Sequence, residues 1–208
     1  MAQFGFFIDT SACSGCKTCQ VACKDKNNLE PGILWRRVYE ISGGNWEKGS
    51  NGGWKASLST YNLSVACNHC EEPGCVEACP TKALYKEEKR GLVLIDEDKC
   101  IGCRYCEWAC PYGALQFDRD RGIMSKCDFC VDYLDVGSSP SCVASCPMRA
   151  LDFGEISELT LKYGNMKHIY PMADPEITKP CLVIKPHPEA ETARSNNARV
   201  ANKEEVKQ

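Results

Sequence analysis

Residues 13 to 23 read CSGCKTCQVAC, four cysteines in eleven positions with gaps of two, two and three residues. The pattern returns three times. Cys67, Cys70, Cys75 and Cys79 form a second group, Cys100, Cys103, Cys106 and Cys110 a third, and Cys127, Cys130, Cys142 and Cys146 a fourth. Every group opens with C-x-x-C and closes with C-x-x-x-C; the second widens the middle gap to four residues and the fourth to eleven. Three cysteines at two-residue gaps can wrap a loop around one face of an iron–sulfur cubane, with backbone N–H groups aimed at its sulfurs. The closing cysteine, three residues on, is expected on a departing helix, pointing away from its own loop toward a second cluster.

Bacterial two-cluster ferredoxins have the run C-x2-C-x2-C-x3-C-P, and its fourth cysteine ligates the other cluster. The four groups resemble that run. Carried over to this sequence, the resemblance implies four [4Fe–4S] clusters on sixteen thiolates. Groups two and three, a ferredoxin-sized interval apart, are expected to exchange closing cysteines, and groups one and four to exchange theirs. The implied sets are Cys13, Cys16, Cys19 with Cys146; Cys127, Cys130, Cys142 with Cys23; Cys67, Cys70, Cys75 with Cys110; and Cys100, Cys103, Cys106 with Cys79.

Two other uses of sulfur compete. Sixteen cysteines could build four tetrahedral zinc sites, but zinc knuckles are isolated cysteine pairs, unlike a triple run closed by C-x3-C-P. Disulfide scaffolds are short and secreted, and a cysteine every third residue along one loop cross-links little. His69, inside CNHC, reads as a packed or hydrogen-bonded side chain, because the local cysteine count is already complete. Trp108 is expected to pack beside a cluster, and Cys181, in KPCLVIKP, to be a buried thiol on a short strand.

Short apolar runs precede the groups, in GFFIDTSAC, LVLIDEDKC and GIMSKC, and read as strands leading into each loop. CPTKAL, CPYGAL and CPMRAL follow the second, third and fourth groups, whereas CKDKNNL follows the first. The proline is expected in the first turn of a short helix. Residues 31–60 suggest a β-hairpin around a Gly/Asn-rich turn. Its Trp35, Trp46 and Trp54 either pack on the core or form a contact surface. ISELTLKYG suggests one more helix. Beyond residue 186 there is almost no apolar content, and this tail is expected to be disordered alone or extended on a partner.

The expected fold class is therefore α+β: two nested ferredoxin-like units with a β-hairpin insertion and an extended C-terminal tail. Residues 1–30 plus 120–180 would make the outer unit, 61–119 the inner unit, and 181–208 the final strand and tail.

A net charge of −3, with both signs mixed along the sequence, leaves no nucleic-acid footprint. Four oxidised clusters at about −2 each would bring the loaded protein to about −11. Lys17, Lys24, Lys82, Lys99, Arg104, Lys126 and Arg149 lie near ligands. Most read as ordinary solvated charges, with Arg104 the best candidate for tuning or docking. The apolar runs are far shorter than the roughly 18 residues of a membrane span. The opening residues lack a basic region and an apolar stretch, and Arg36-Arg37 lies inside the sequence, so export is expected to depend on a partner's signal. Three scattered histidines, His69, His168 and His187, and the lack of a nucleophile–base pair or nucleotide fingerprint, exclude a recognisable turnover site. The chemistry that remains is electron relay.

The order of the groups resembles the four-cluster ferredoxin-like subunits of bacterial molybdopterin oxidoreductases. FGFFIDTSACSGCKTCQVACKD, CNHCEEPGC, DEDKCIGCRYCEWACPYGA, KCDFC, CVASCPMRALDFGEISEL and TKPCLVIKP carry the likeness, from residue 4 to about residue 186. The stretches between cysteines point to the dimethyl sulfoxide branch. The resemblance implies a heterotrimer: a molybdopterin-containing catalytic subunit, a membrane-anchor subunit that oxidises menaquinol, and this protein relaying electrons between them. It implies that the Cys13 set lies nearest the catalytic subunit and the Cys100 set nearest the quinol, with Arg104 and Tyr105 close to where electrons arrive. Nitrate reductase relatives have Trp in place of Cys103 and a three-iron centre; Cys103 implies four cubanes here. The implied location is peripheral on the bacterial inner membrane, on the periplasmic face by co-export, with the cytoplasmic face as the alternative. The same relay could serve tetrathionate, polysulfide or selenate reductase or formate dehydrogenase; a zinc scaffold, or clusters supporting a non-redox partner, are rivals of another class.

Overall fold

The computed structural model describes residues 2–190 and 197–206. Its centre is a three-stranded sheet in the order β8-β1-β9. Strand β1 (Phe4–Asp9) runs antiparallel to β8 (Leu151–Glu155) and parallel to β9 (Leu182–Lys185). Side chains alternate along a strand. Phe6 and Ile8 enter the main core, while Phe7 joins Leu159 and Val183 beneath helix α6 (Ile156–Tyr163). Both faces are covered, which is why FGFFID is apolar almost without alternation. Gly5 lets two backbone segments meet: a Cβ there would lie 2.4 Å from the carbonyl oxygen of Cys181.

The short strands ahead of the cysteine groups are β1, β5 (Val93–Ile95) and β7 (Ile123–Ser125). The strands after them are β4 (Leu84–Lys86), β6 (Gln116–Asp118) and β8. They pair as antiparallel hairpins β4-β5 and β6-β7, and as β8 on β1. The strand leaving the fourth group thus lies beside the strand entering the first.

The helices stand on the other side of the proline from where the sequence pattern predicts them. α2 (Gly74–Glu77), α3 (Tyr105–Ala109) and α5 (Ser141–Ala144) all end before the closing cysteine, and Pro80, Pro111 and Pro147 follow. Proline stops these helices because it cannot continue the N–H ladder. Group one has Lys24 in that place, and its helix α1 (Thr18–Lys26) runs on past Cys23. A further short helix, α4 (Val131–Asp135), fills the long gap of group four.

β2 (Arg37–Lys48) and β3 (Trp54–Val65) form the expected hairpin, in register from Arg37↔Val65 to Lys48↔Trp54. β3 continues beyond residue 60, so the strand that leaves the hairpin is also the one that leads to Cys67. Trp35 lies against the core and donates from Nε1 to Ser125 Oγ at 3.2 Å, while Trp46 and Trp54 are exposed toward the hairpin's far end.

The tail departs from expectation. β10 (Arg199–Val200) adds to β2 opposite Ser42 and Ile41. Asn202 Nδ2 donates to the Val38 carbonyl at 2.9 Å and its Oδ1 accepts from the Glu40 N–H at 2.9 Å, extending the edge pairing through a side chain. Ala190 and Val206 are buried. Few apolar residues suffice, because main-chain pairing to a free edge needs none. Residues 191–196, 207 and 208 of the expected tail lie outside the described residues.

Candidate metal centres

The structure brings cysteines of different groups near one another. Cys13, Cys16 and Cys19 share one small space with Cys146, bordered by Ser14, Lys17 and Ser64. Cys100, Cys103 and Cys106 share another with Cys79. The groups whose charge acts on Cys75 include Cys67, Cys110 and Cys70. Cys23 is acted on by Cys142 and Cys130, and Cys127 by Cys23 and Cys142. All seventeen cysteines are free thiols, so no disulfide holds the fold.

Local backbone geometry explains how the closing cysteines are held. In C-P-x-K/G/R-A-L, the fourth position is left-handed every time: Lys82 at φ 55°, Gly113 at 57°, Arg149 at 51°. The turn aims the next N–H back at sulfur. Ala114 N lies 3.5 Å from Cys110 Sγ and Ala150 N lies 3.3 Å from Cys146 Sγ. Lys17 and Arg104, each just after the second cysteine of its group, are left-handed too, at 61° and 66°. Gly102 is needed where it stands: at φ 66°, a Cβ would lie 2.3 Å from the Gly122 carbonyl oxygen.

Further donors reach the sulfurs, Phe129 from within its own loop and Met124, Thr178 and Ser64 from outside theirs. The N–H groups of Met124 and Phe129 lie 3.4 Å from Cys100 Sγ and Cys127 Sγ. Thr178 Oγ1 donates to Cys70 Sγ at 3.2 Å, and Ser64 Oγ lies 3.3 Å from Cys19 Sγ. Thr178 and Ser64 have no signal in sequence, since they arrive through tertiary packing.

Burial, then neighbouring sulfur charge, pushes the thiols of Cys23 and Cys106 up to about 12. Burial also pushes Cys70 up to about 12, against the Thr178 hydrogen bond, and Cys75 and Cys127 rise too. Thiols crowded this way surrender their protons only to a strong positive centre, which is the situation of a metal ligand. Among the described residues no group of three or more His, Cys, Asp or Glu is placed to hold a single metal ion.

Three buried cations stand among the sets: Arg36, Lys126, and Arg37, which is 3 % exposed, is acted on by Cys110 and Cys67 and donates to the Tyr112 carbonyl at 2.9 Å. Arg36 is 1 % exposed, and its charge is acted on by Cys142, Cys19, Cys127 and Cys23. Lys126 is 3 % exposed and donates from Nζ to the carbonyls of Val93 and Cys127. Reading Lys126 as a solvated charge is therefore corrected. Its place directly before Cys127 was a usable signal; Arg36 had none. Arg104 is instead exposed, and its Nε donates to Glu107 Oε2 at 2.7 Å. Lys17 pairs with Glu40 and Glu205, and Lys99 with Asp96, as surface charges do.

His69 is fully buried, its Nδ1 accepting from the Val93 N–H at 3.1 Å; burial and the Lys126 charge hold it neutral. Cys181 belongs to no set and is pushed up to about 12 by burial. Trp108 does not pack beside a cluster: it is 79 % exposed and lies parallel to Tyr105, ring centres 6.0 Å apart. No helix among the described residues is long and apolar enough to cross a membrane.

Residues 58–156 match the family model described as a 4Fe-4S dicluster domain, a span that holds groups two, three and four. The sequence is 49% identical over 204 residues to the B subunit of anaerobic dimethyl sulfoxide reductase of Escherichia coli K12, covering 98% of each. It is 44% identical over 206 residues to the protein of the same name from Haemophilus influenzae, covering 99% of this sequence and 100% of the relative. It is 37% identical over 171 residues to the thiosulfate reductase electron transfer subunit of Salmonella typhi, covering 81% and 84%. [4Fe–4S] clusters are the cofactors that this likeness and these thiols support.

Proposed function

This protein belongs to the family of anaerobic dimethyl sulfoxide reductase B subunits, and from that premise we propose that it is an electron-transfer subunit carrying four [4Fe–4S] clusters. In this reading each set of four cysteines named above holds one cluster. The clusters supply one-electron acceptance and release at separated points along the molecule. The protein's residues fix those points, exclude water from most of them and set their electrostatics.

The exposure pattern carries the reading. Cys16 at one end is exposed, and Cys79, Cys100 and Cys103 at the other are half-buried, beside the exposed Ile101, Tyr105 and Trp108. Between them Cys127, Cys130, Cys142 and Cys23 are all buried, and the Cys67 set is mixed, with Cys67 and Cys75 buried and Cys70 and Cys110 half-buried. The sets also adjoin in series. Arg36 faces cysteines of the first and fourth sets, Cys67 acts on Cys127, and Cys75 and Cys106 share one apolar cluster. A series that reaches the surface at Cys16, is buried throughout at the Cys127 set and opens again toward the Cys100 set suits a relay with a donor at one end and an acceptor at the other.

In this proposal a membrane-anchor subunit oxidises menaquinol next to the Cys100 set. A molybdopterin-containing catalytic subunit receives electrons from the Cys13 set and reduces dimethyl sulfoxide or a related S- or N-oxide. The protein itself turns over no substrate and sits on the inner membrane through those partners, on the periplasmic face. Residues 1–30 with 120–180 act as an outer ferredoxin-like unit around an inner one at 61–119, a division that the pairing of β8 with β1 supports. The test is made on the isolated complex: a menaquinol analogue should bleach the iron–sulfur absorbance and dimethyl sulfoxide should restore it. Clusters that the quinol analogue leaves oxidised would contradict the relay. Restoration by thiosulfate or tetrathionate alone would move the protein to a different molybdoenzyme.

A further inference from the structure

Arg36 is buried as few arginines are. It takes part in no ion pair found among the described residues, and its guanidinium carbon lies 4.6 Å from the centre of the Phe6 ring. Nη1 donates to the carbonyl and the hydroxyl of Ser64, both at 3.2 Å; Nε and Nη2 have no partner there. A buried guanidinium is expensive unless something negative answers it. No carboxylate does. What faces it is sulfur: Cys19 of the first set, and Cys142, Cys127 and Cys23 of the fourth. Ser64 ties it to one of them directly, since its Oγ also lies 3.3 Å from Cys19 Sγ. Two unused donors and one uncompensated charge thus sit between two groups of thiols.

We propose that Arg36 is a fixed counter-charge shared by the two outer clusters, those on the Cys13 and Cys127 sets, and that it holds both at higher reduction potential. The inference deepens the four-cluster reading and rests on it. Reduction adds one negative charge to a cluster, and a cation in a low-dielectric interior favours the more negative form. Arginine suits the position because it stays charged when buried and its planar fork can donate in several directions at once. Cysteines of the inner sets, on Cys67 and Cys100, are not among the largest influences on Arg36, so the inner clusters gain less from it.

The test is a redox titration followed by EPR on the anaerobically isolated, iron-loaded protein, with Arg36→Met and Arg36→Lys beside the wild type. In Arg36→Met the two outer clusters should show at least a tenfold lower reduced-to-oxidised ratio at a given potential, about 59 mV for a one-electron couple. The inner two should hold, and Arg36→Lys should shift the outer pair by less than half as much. Four unmoved potentials, four that move together, or a lysine variant as shifted as the methionine one would overturn the proposal. If Arg36→Met binds less iron, the loss should be confined to the outer pair and Arg36→Lys should load fully; equal loss in both makes Arg36 a packing residue and ends the claim. The wild type separates the two levels. Full iron with unresponsive variants sinks this inference alone, whereas a wild type short of four clusters sinks the reading beneath it.

Discussion

The backbone N–H of Ala150 points at Cys146 Sγ from 3.3 Å, and it can do so because Arg149, one residue earlier, is left-handed. A glycine already stands at the equivalent Gly113, where Ala114 meets Cys110 in the same way. Arg149→Gly should therefore keep its full iron content and remain within about 1 kcal/mol of the parent. A β-branched residue cannot hold that conformation comfortably, so Arg149→Val should cost about 1–3 kcal/mol and lower iron binding at the Cys13 set. Thermal unfolding with iron analysis checks both, and a valine variant as stable as the glycine one would remove the backbone argument.

Cys181 provides the internal control for the cluster ligands. Cys181→Ala should leave iron unchanged and cost about 1–2 kcal/mol for the small cavity it opens. Its pH signature follows from the raised thiol. Unfolded, the group ionises near 9.0; folded, near about 12. The unfolded state thus releases the proton first, so the stability Cys181 contributes is complete below pH 9 and is lost as pH climbs through the folded value. Stability of the alanine variant should decline less steeply over that alkaline window. Loss of about four iron on mutating Cys181 would mean that a ligand has been misassigned.

Cys103 sits at the half-exposed end of the series. Cys103→Ser should convert or lose one cluster, so that iron falls by about one to four atoms per molecule. In the complex, quinol-driven turnover should stop while artificial donors still feed the catalytic subunit. Unchanged quinol-linked activity would contradict the proposed path.

Removing the metal should unfold the protein. Cys19, Cys67, Cys127, Cys142 and Cys146 belong to the main core, so the iron-free protein loses what its centre is built around. It would also keep Arg36 and Lys126 buried without counter-charge, a penalty of several kcal/mol for each ion. Chelation under reducing conditions should abolish cooperative thermal unfolding. A sharp transition in the iron-free protein would show that the apolar contacts suffice alone.

The four cysteine groups were legible because a ligand loop is local: two-residue gaps are visible whatever the rest of the molecule does, whereas the exchange of closing cysteines between groups came from the resemblance to two-cluster ferredoxins. The strands ahead of the loops and a hairpin, expected at 31–60 and found at 37–65, were visible for the same reason, through apolar runs and a Gly/Asn turn. What failed depended on context. CPTKAL reads as a helix start, and only the run-on of α1 past Cys23, where no proline stands, shows that the proline stops the helix instead. Trp108 was expected against a cluster because it lies between two ligands, yet the turn of α3 carries its side chain outward. The polar tail reads as disordered alone or extended on a partner because edge pairing within the molecule leaves no hydrophobic trace, and β10 uses only two residues. Arg36 looked like half of an ordinary basic pair; its meaning appears only once Ser64, Phe6 and sulfur from two distant groups close around it.

The most direct measurement is the metal and sulfide content of the anaerobically isolated protein, together with its EPR spectrum after dithionite. Four cubanes predict about sixteen iron and sixteen acid-labile sulfide per molecule, with interacting signals from reduced [4Fe–4S] centres. About four zinc atoms in a colourless, EPR-silent protein, or about eight iron from a single pair of clusters, would contradict the account.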